Sequence, residues 1–123
     1  MYTVKIAESS KELSAKDRIK MKDTSNAVKL DAVLTGDEPL CITPVAYAIL
    51  DIHNDKADDK DYQQFLVMDE SGAKFVTGSQ SFWNAFFEIW SEMEGESEEW
   101  MLEIYKKDSK NYSGKKFITC SIV

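Results

Sequence analysis

The spacing of apolar residues in this chain changes once, at Gly78, and few folds accommodate that change. Before it, apolar residues recur every second position or in short β-branched blocks. Directly after it, in SQSFWNAFFEIWSEMEG, Phe82, Phe86, Ile89, Trp90 and Met93 fall at helical spacing. Ser79 or Ser81 offers an N-cap oxygen and Gly95 a stop, so the pattern predicts a helix over roughly 81–94. Phe82, Phe86 and Trp90 are its core face. Alternation then resumes in EWMLEIYKK and KKFITCSIV, two strands joined by the loop DSKNYSG.

Upstream, YTVKIA reads as a strand, and AVKLDAVL as another with Val28 and Leu30 on one face. TGDEP reads as a turn. CITPVAYAILDIHN is the longest strand, alternating Val45, Tyr47 and Ile49 against Ala46, Ala48, Leu50 and Ile52. Pro44 sits where a strand begins or bulges, because it has no N–H for a ladder. DKADDKD is a solvated loop. YQQFLVM and AKFVTG are strands joined by DESG, with Gly72 available for positive φ. The segment ESSKELSAKDRIKMKD has only Leu13, Ile19 and Met21 as large apolar residues. It reads as a short helix, an extended arm, or both in turn, so residues 1–24 form a partly ordered N-terminal arm. The expected fold is mainly β with one helix: an OB-like five-stranded barrel, its helix between the third and fourth strands. An α+β sheet with one packed helix is the alternative.

A length of 123 residues makes one domain, 1–123, able to bury a core unaided. No run approaches the roughly 18 apolar residues of a membrane span. The first 20 residues hold no apolar block like the centre of a signal peptide. A cytoplasmic protein with no membrane partner is expected. Cys41 and Cys120 lie far apart, outside any CxxC spacing and in stretches rich in apolar residues (LCI and FITCSIV), and read as two reduced, buried thiols. The sequence leaves a disulfide between them open.

The net charge of −7 conceals a segregation. Residues 1–30 hold seven bases and four acids, residues 31–103 hold three bases and 17 acids, and residues 104–123 hold five bases and one acid. Overall acidity opposes indiscriminate polyanion binding, but at physiological salt charges beyond about 8 Å are screened, so a local basic strip can still act.

Catalysis has little support. No GxSxG, HExxH, GxxxxGK[ST] or GxGxxG occurs, and His53 is the sole histidine. It reads as a lone surface histidine. The cluster Asp51, Asp55, Asp58, Asp59 and Asp61 has oxygens suited to Mg²⁺ or Ca²⁺. It lacks the glycine and glutamate positions of a calcium loop, and two lysines interrupt it. No cofactor is expected. ESEEW and the helix acids Glu88, Glu92 and Glu94 read first as a solvated face. Their functional reading is repulsion of nucleic acid from every face but one.

The basic end holds Lys106, Lys107, Lys110, Lys115 and Lys116, gathered around Tyr105 and Tyr112. If Trp100, Leu102 and Ile104 face the core, then Met101, Glu103 and Tyr105 face out. Aromatic faces on a sheet with lysines beside them bind single-stranded nucleic acid, each base stack contributing about 1–3 kcal/mol. The last hairpin therefore reads as a clamp for a single strand. Lysine-rich hairpin tips are also common solubilising features.

The stretches DESGAKFVTGSQSFWNAFFEI and YKKDSKNYSGKKFITCSIV resemble the small single-stranded DNA-binding proteins of phages and mobile elements of Gram-positive bacteria. There a YVTGS.SF-like junction leads from strand to helix, and a SKN..GK.F hairpin closes the domain. The likeness covers the C-terminal half, with a weaker echo in KELSAKDRIKMKDTSNAVKLD. It implies an OB-type fold, no enzymatic activity and cooperative or homo-oligomeric coating of single-stranded DNA. It also implies work beside replication or recombination proteins in the bacterial host cytoplasm. Many such proteins end in a disordered acidic tail, whereas this sequence ends in ITCSIV. Two other readings compete. One is an acidic protein-binding module or inhibitor that mimics nucleic acid, for which the lysine hairpin has no use. The other is a metal-dependent nuclease built on the Asp51 to Asp61 cluster.

Overall fold

The structure, a computed structural model, describes residues 2–10, 13–34, 38–56, 60–108 and 116–123. It is mainly β. In chain order the elements are β1 (Tyr2–Ser9), α1 (Ala15–Lys22), β2 (Val28–Lys29), α2 (Leu30–Val33), β3 (Leu40–Ile42), β4 (Pro44–Asn54), β5 (Asp61–Asp69), β6 (Lys74–Thr77), α3 (Gln80–Met93), β7 (Leu102–Asp108) and β8 (Lys116–Ile122). One sheet has the order β1-β4-β5-β6-β2 and the other β3-β7-β8, every pairing antiparallel except β2 with β6.

One bent stretch of chain joins the sheets. β3 pairs with β7, and after Thr43 alone the chain resumes as β4 between β1 and β5. Pro44 cannot donate to a ladder, and the register slips between Pro44 and Ala46, leaving Val45 as the extra residue of a bulge. The expectation that Pro44 begins or bulges a strand holds in both respects.

β4 is apolar on both faces because both are covered. On one, Tyr47 meets α3: its ring lies edge-on to Trp83, Phe86, Phe87 and Trp90, with centroids 5.2 to 6.1 Å away. Phe65 of β5 stacks on Trp83 at 4.8 Å. On the other face Ala46, Ala48, Leu50 and Ile52 pack with Leu66, Val76, Leu13 and Met21. The polar N-terminal segment is thus an edge strand laddered to β4 followed by a helix, with Leu13 and Met21 buried against the sheet. Ser14 caps α1, its Oγ accepting from the amide of Asp17 at 3.2 Å. At the other end Lys74, buried in β6, donates from Nζ to the carbonyls of Lys20 and Asp23. Those carbonyls lie past the last intrahelical bonds and need a partner.

The long helix runs Gln80–Met93. Ser79 is its cap, accepting from the amide of Phe82 at 3.2 Å, and Gly95 at φ +87° ends it. Gly72 at φ +88° makes the predicted turn between β5 and β6. Other expectations need correction. AVKLDAVL is not one strand: after two strand residues the chain turns helical as α2. Leu30 and Leu34, four apart, are both buried, and Asp31 accepts from the Thr77 hydroxyl at 3.1 Å. One helix was expected; α1 and α2 add to it. Cys41 is exposed, because Leu40 and Ile42 take the inward positions of β3; Cys120 is buried, and both thiols are free.

Among the described residues the strands do not close a barrel. No ladder joins β6 to β8. α3 occupies that side instead, and the Ser81 hydroxyl donates to the Ile118 carbonyl of β8 at 2.9 Å. A helix N-terminus thereby covers a strand edge that would otherwise be open to pairing.

Candidate functional site

The β7–β8 hairpin carries the described part of the basic end. Its register places Ile104 opposite Cys120, Tyr105 opposite Thr119, Lys106 opposite Ile118, Lys107 opposite Phe117 and Asp108 opposite Lys116. Side chains alternate faces along each strand, so two sets result. Leu102, Ile104, Ile118 and Cys120 are buried inward, and Lys106 and Lys116 continue that face toward the hairpin tip. Glu103, Tyr105 and Lys107 share the outer face with Ser121, Thr119 and Phe117. The predicted orientation of this strand is therefore correct.

Of the seven residues expected to contact nucleic acid, the structure brings Tyr105 and Lys107 together on one face. Lys106 and Lys116 lie on the other face of the same hairpin end. Lys110, Tyr112 and Lys115 lie outside the described residues. Tyr105 is half-buried, its hydroxyl within 2.8 Å of Ser121 Oγ, so the ring is fixed at both ends. Lys107 and Lys116 are exposed.

Phe117 was not among the expected residues and belongs with them. It is half-buried, directly across from Lys107 and diagonal to Tyr105 on the same face. Diagonal cross-strand neighbours lie about 7–8 Å apart, and the Tyr105 hydroxyl reaches the other diagonal neighbour, Ser121. The signal was present: in KKFITCSIV, burial of Ile118 and Cys120 sends Phe117 the other way. This face offers two aromatic rings and an ammonium group. Such a set can stack on planar groups and attract phosphate, and Glu103 lies on the same face beyond Tyr105.

The His53 region has a different chemistry. At the far end of β4 and β5, a cleft of about 590 Å³ is lined by Thr3, Lys5, Asp51, His53, Asp61 and Gln63, among others. His53 Nδ1 lies 2.7 Å from Asp61 Oδ1 and Nε2 lies 2.6 Å from Asp55 Oδ1. Only an imidazolium donates from both nitrogens. The hydrogen bonds to Asp61 and then Asp55 accordingly hold the His53 pKa above its ordinary value. His53 is at the surface as expected, but it clasps the two strand ends. Gln63 Nε2 donates to Asp51 at 2.9 Å. Asp55 and Asp61 bind opposite sides of one ring and do not converge. Among the described residues no group of three His, Cys, Asp or Glu side chains is placed to hold a metal. Asp58 and Asp59 lie outside those residues.

No family model, curated protein or solved structure matches this chain.

Proposed function

We propose that this protein binds single-stranded DNA without regard to sequence, through the outer face of the β7–β8 hairpin. The observation that carries the proposal is the juxtaposition of Tyr105, Lys107 and Phe117 on that face. Each ring stacked on a base contributes about 1–3 kcal/mol whatever the base, and the ammonium group meets the phosphates. The hydrogen bond between the Tyr105 and Ser121 hydroxyls reduces the conformational freedom the ring loses on binding. Lys106 and Lys116 on the opposite face supply charge to a strand that turns around the hairpin end. Lys110, Tyr112 and Lys115, between β7 and β8 in sequence and outside the described residues, extend the contact in this reading.

Strand connectivity supports an OB-type reading of the fold. The bent chain 40–54 is then the first barrel strand, β5 and β6 the second and third, and β7 and β8 the fourth and fifth. α3 stands between the third and fourth and replaces the last ladder. In OB-folds the loop between the fourth and fifth strands is a recurrent site of oligonucleotide contact. The resemblance of FVTGSQSF and SKNYSGKKF to small phage and mobile-element proteins extends the proposal to replication or recombination of such DNA.

Anisotropy of a labelled oligo-dT, titrated with protein at low salt, tests the proposal. Saturable binding, weaker for a duplex of equal length, is expected, because bases in a duplex are already stacked. Absence of binding at tens of micromolar protein would sink it.

A further inference from the structure

The acidic run ESEEW takes no part in the hairpin site, and the structure sets it beside exposed apolar surface. Two neighbouring clefts share Trp100. The smaller, about 280 Å³, is formed mainly by Pro44, Val45, Trp90 and Met93 at the bulge and the end of α3. The larger, about 710 Å³, adds Thr43, Met101 and Val123. The Trp90 and Trp100 rings meet edge to face, 6.3 Å between centroids. Val45 is 50% and Met101 43% exposed. The charged side chains lining the two clefts are all glutamates, Glu70, Glu94, Glu98 and Glu99, with no lysine or arginine. Trp90 Nε1 is buried with no hydrogen-bond partner.

An apolar groove and its charged rim together define the occupant. Nucleic acid is repelled by four carboxylates, and a neutral apolar molecule would leave them unused. Complementarity requires an apolar side chain for the tryptophans with cations beside it for the glutamates. We infer that this groove docks a short segment of another protein, an aliphatic or aromatic side chain flanked by lysine or arginine. The groove lies where β7 begins and β8 ends, opposite the hairpin tip. Along the chain Met101 of the groove and Tyr105 of the proposed strand-binding face are four residues apart, about 13 Å at about 3.3 Å each. The inference does not depend on strand binding.

The test uses the full chain and the blocked peptide Lys-Leu-Arg-Ile-Lys-Leu, with tryptophan emission as readout, since Trp90 and Trp100 line the groove. One control peptide replaces the apolar residues with serine, the other replaces the cations with glutamate. Saturable emission change is expected with the first peptide alone, weakening as salt rises. The double substitution Glu98→Gln with Glu99→Gln alters two exposed side chains and should weaken binding about three- to tenfold. Circular dichroism of that variant should match the parent. Three results would overturn the inference: no saturation at millimolar peptide, equal binding of the serine control, or equal affinity in the double variant. So would self-association in sedimentation velocity that the double variant abolishes, because the groove then belongs to a second copy. Failure of oligo-dT to bind would leave all these outcomes readable.

Discussion

Replacing Lys74 by methionine isolates one polar contact of the fold. Methionine keeps the length and much of the volume of the lysine stem, so no large cavity forms. It removes two hydrogen bonds from Nζ, to the carbonyls of Lys20 and Asp23. Hydrogen bonds from a charged donor contribute about 1.5–3 kcal/mol each. Holding an ammonium group away from water opposes this by several kcal/mol. Lys74 is only 8% exposed, so water cannot easily replace it at those carbonyls. The net loss should be about 2 kcal/mol. α1 should feel it first: at eight residues it is too short to persist without its attachments. With a urea m-value of about 2 kcal/mol/M, the unfolding midpoint should fall by about 1 M, m itself unchanged. Hydrogen exchange at the Asp23 amide, bonded to the Ile19 carbonyl at 3.1 Å, should accelerate more than exchange in β4. A midpoint within about 0.2 M of the parent, with unchanged protection at Asp23, would refute the reasoning.

Other elements make separate predictions. Phe86 is fully buried against Tyr47, Phe82, Trp83 and Trp90, so Phe86→Ala should cost about 3–5 kcal/mol in denaturant melts. A loss below about 1 kcal/mol would mean that the buried face of α3 is misplaced. Burial pushes the Cys120 thiol up to about 12, and Cys41 is exposed, so a thiol reagent at pH 8 should modify one cysteine before unfolding and two after. Two fast thiols in native protein would contradict that placement. His53 is the only histidine, so its ring resonances are unambiguous, and its midpoint should lie above the ordinary 6.5. Its contribution to stability is complete below that value and fades as pH rises through the folded midpoint. A midpoint at or below 6.5 would show that the carboxylate clasp does not form in solution.

Most strands and the long helix were legible because each repeats a short period over many residues. The change at Gly78, the Ser79 cap and the glycines at 72 and 95 are local signals, and local physics decides them. AVKLDAVL misled because Val28 and Leu30 satisfy a period of two, while Leu30 and Leu34 satisfy a period of four. Only packing against β6 decides between them. The inward lysine of β6 was not legible, since it answers carbonyls more than fifty residues away in sequence. The division of β3 from β4 rests on Pro44, a local signal; that the two halves join different sheets depends on partners distant in the chain. Phe117 lies within a lysine cluster, and its face follows from the burial of Ile118 and Cys120. Barrel closure was the least accessible feature, because the Ser81 contact that covers β8 has no counterpart in any sequence period.

The central claim is that rings and ammonium groups of the β7–β8 hairpin bind a single strand by separable means. Oligo-dT affinity measured over a range of salt concentrations, for the parent and for Phe117→Ala and Lys107→Gln, tests it most directly. Phe117→Ala should lose about 1–3 kcal/mol of binding at every salt, leaving the log–log slope nearly unchanged. Lys107→Gln should instead lower that slope by about 0.7, with its largest loss at low salt. Parent-like affinity and slope in both variants would contradict the claim and remove the strand from this face.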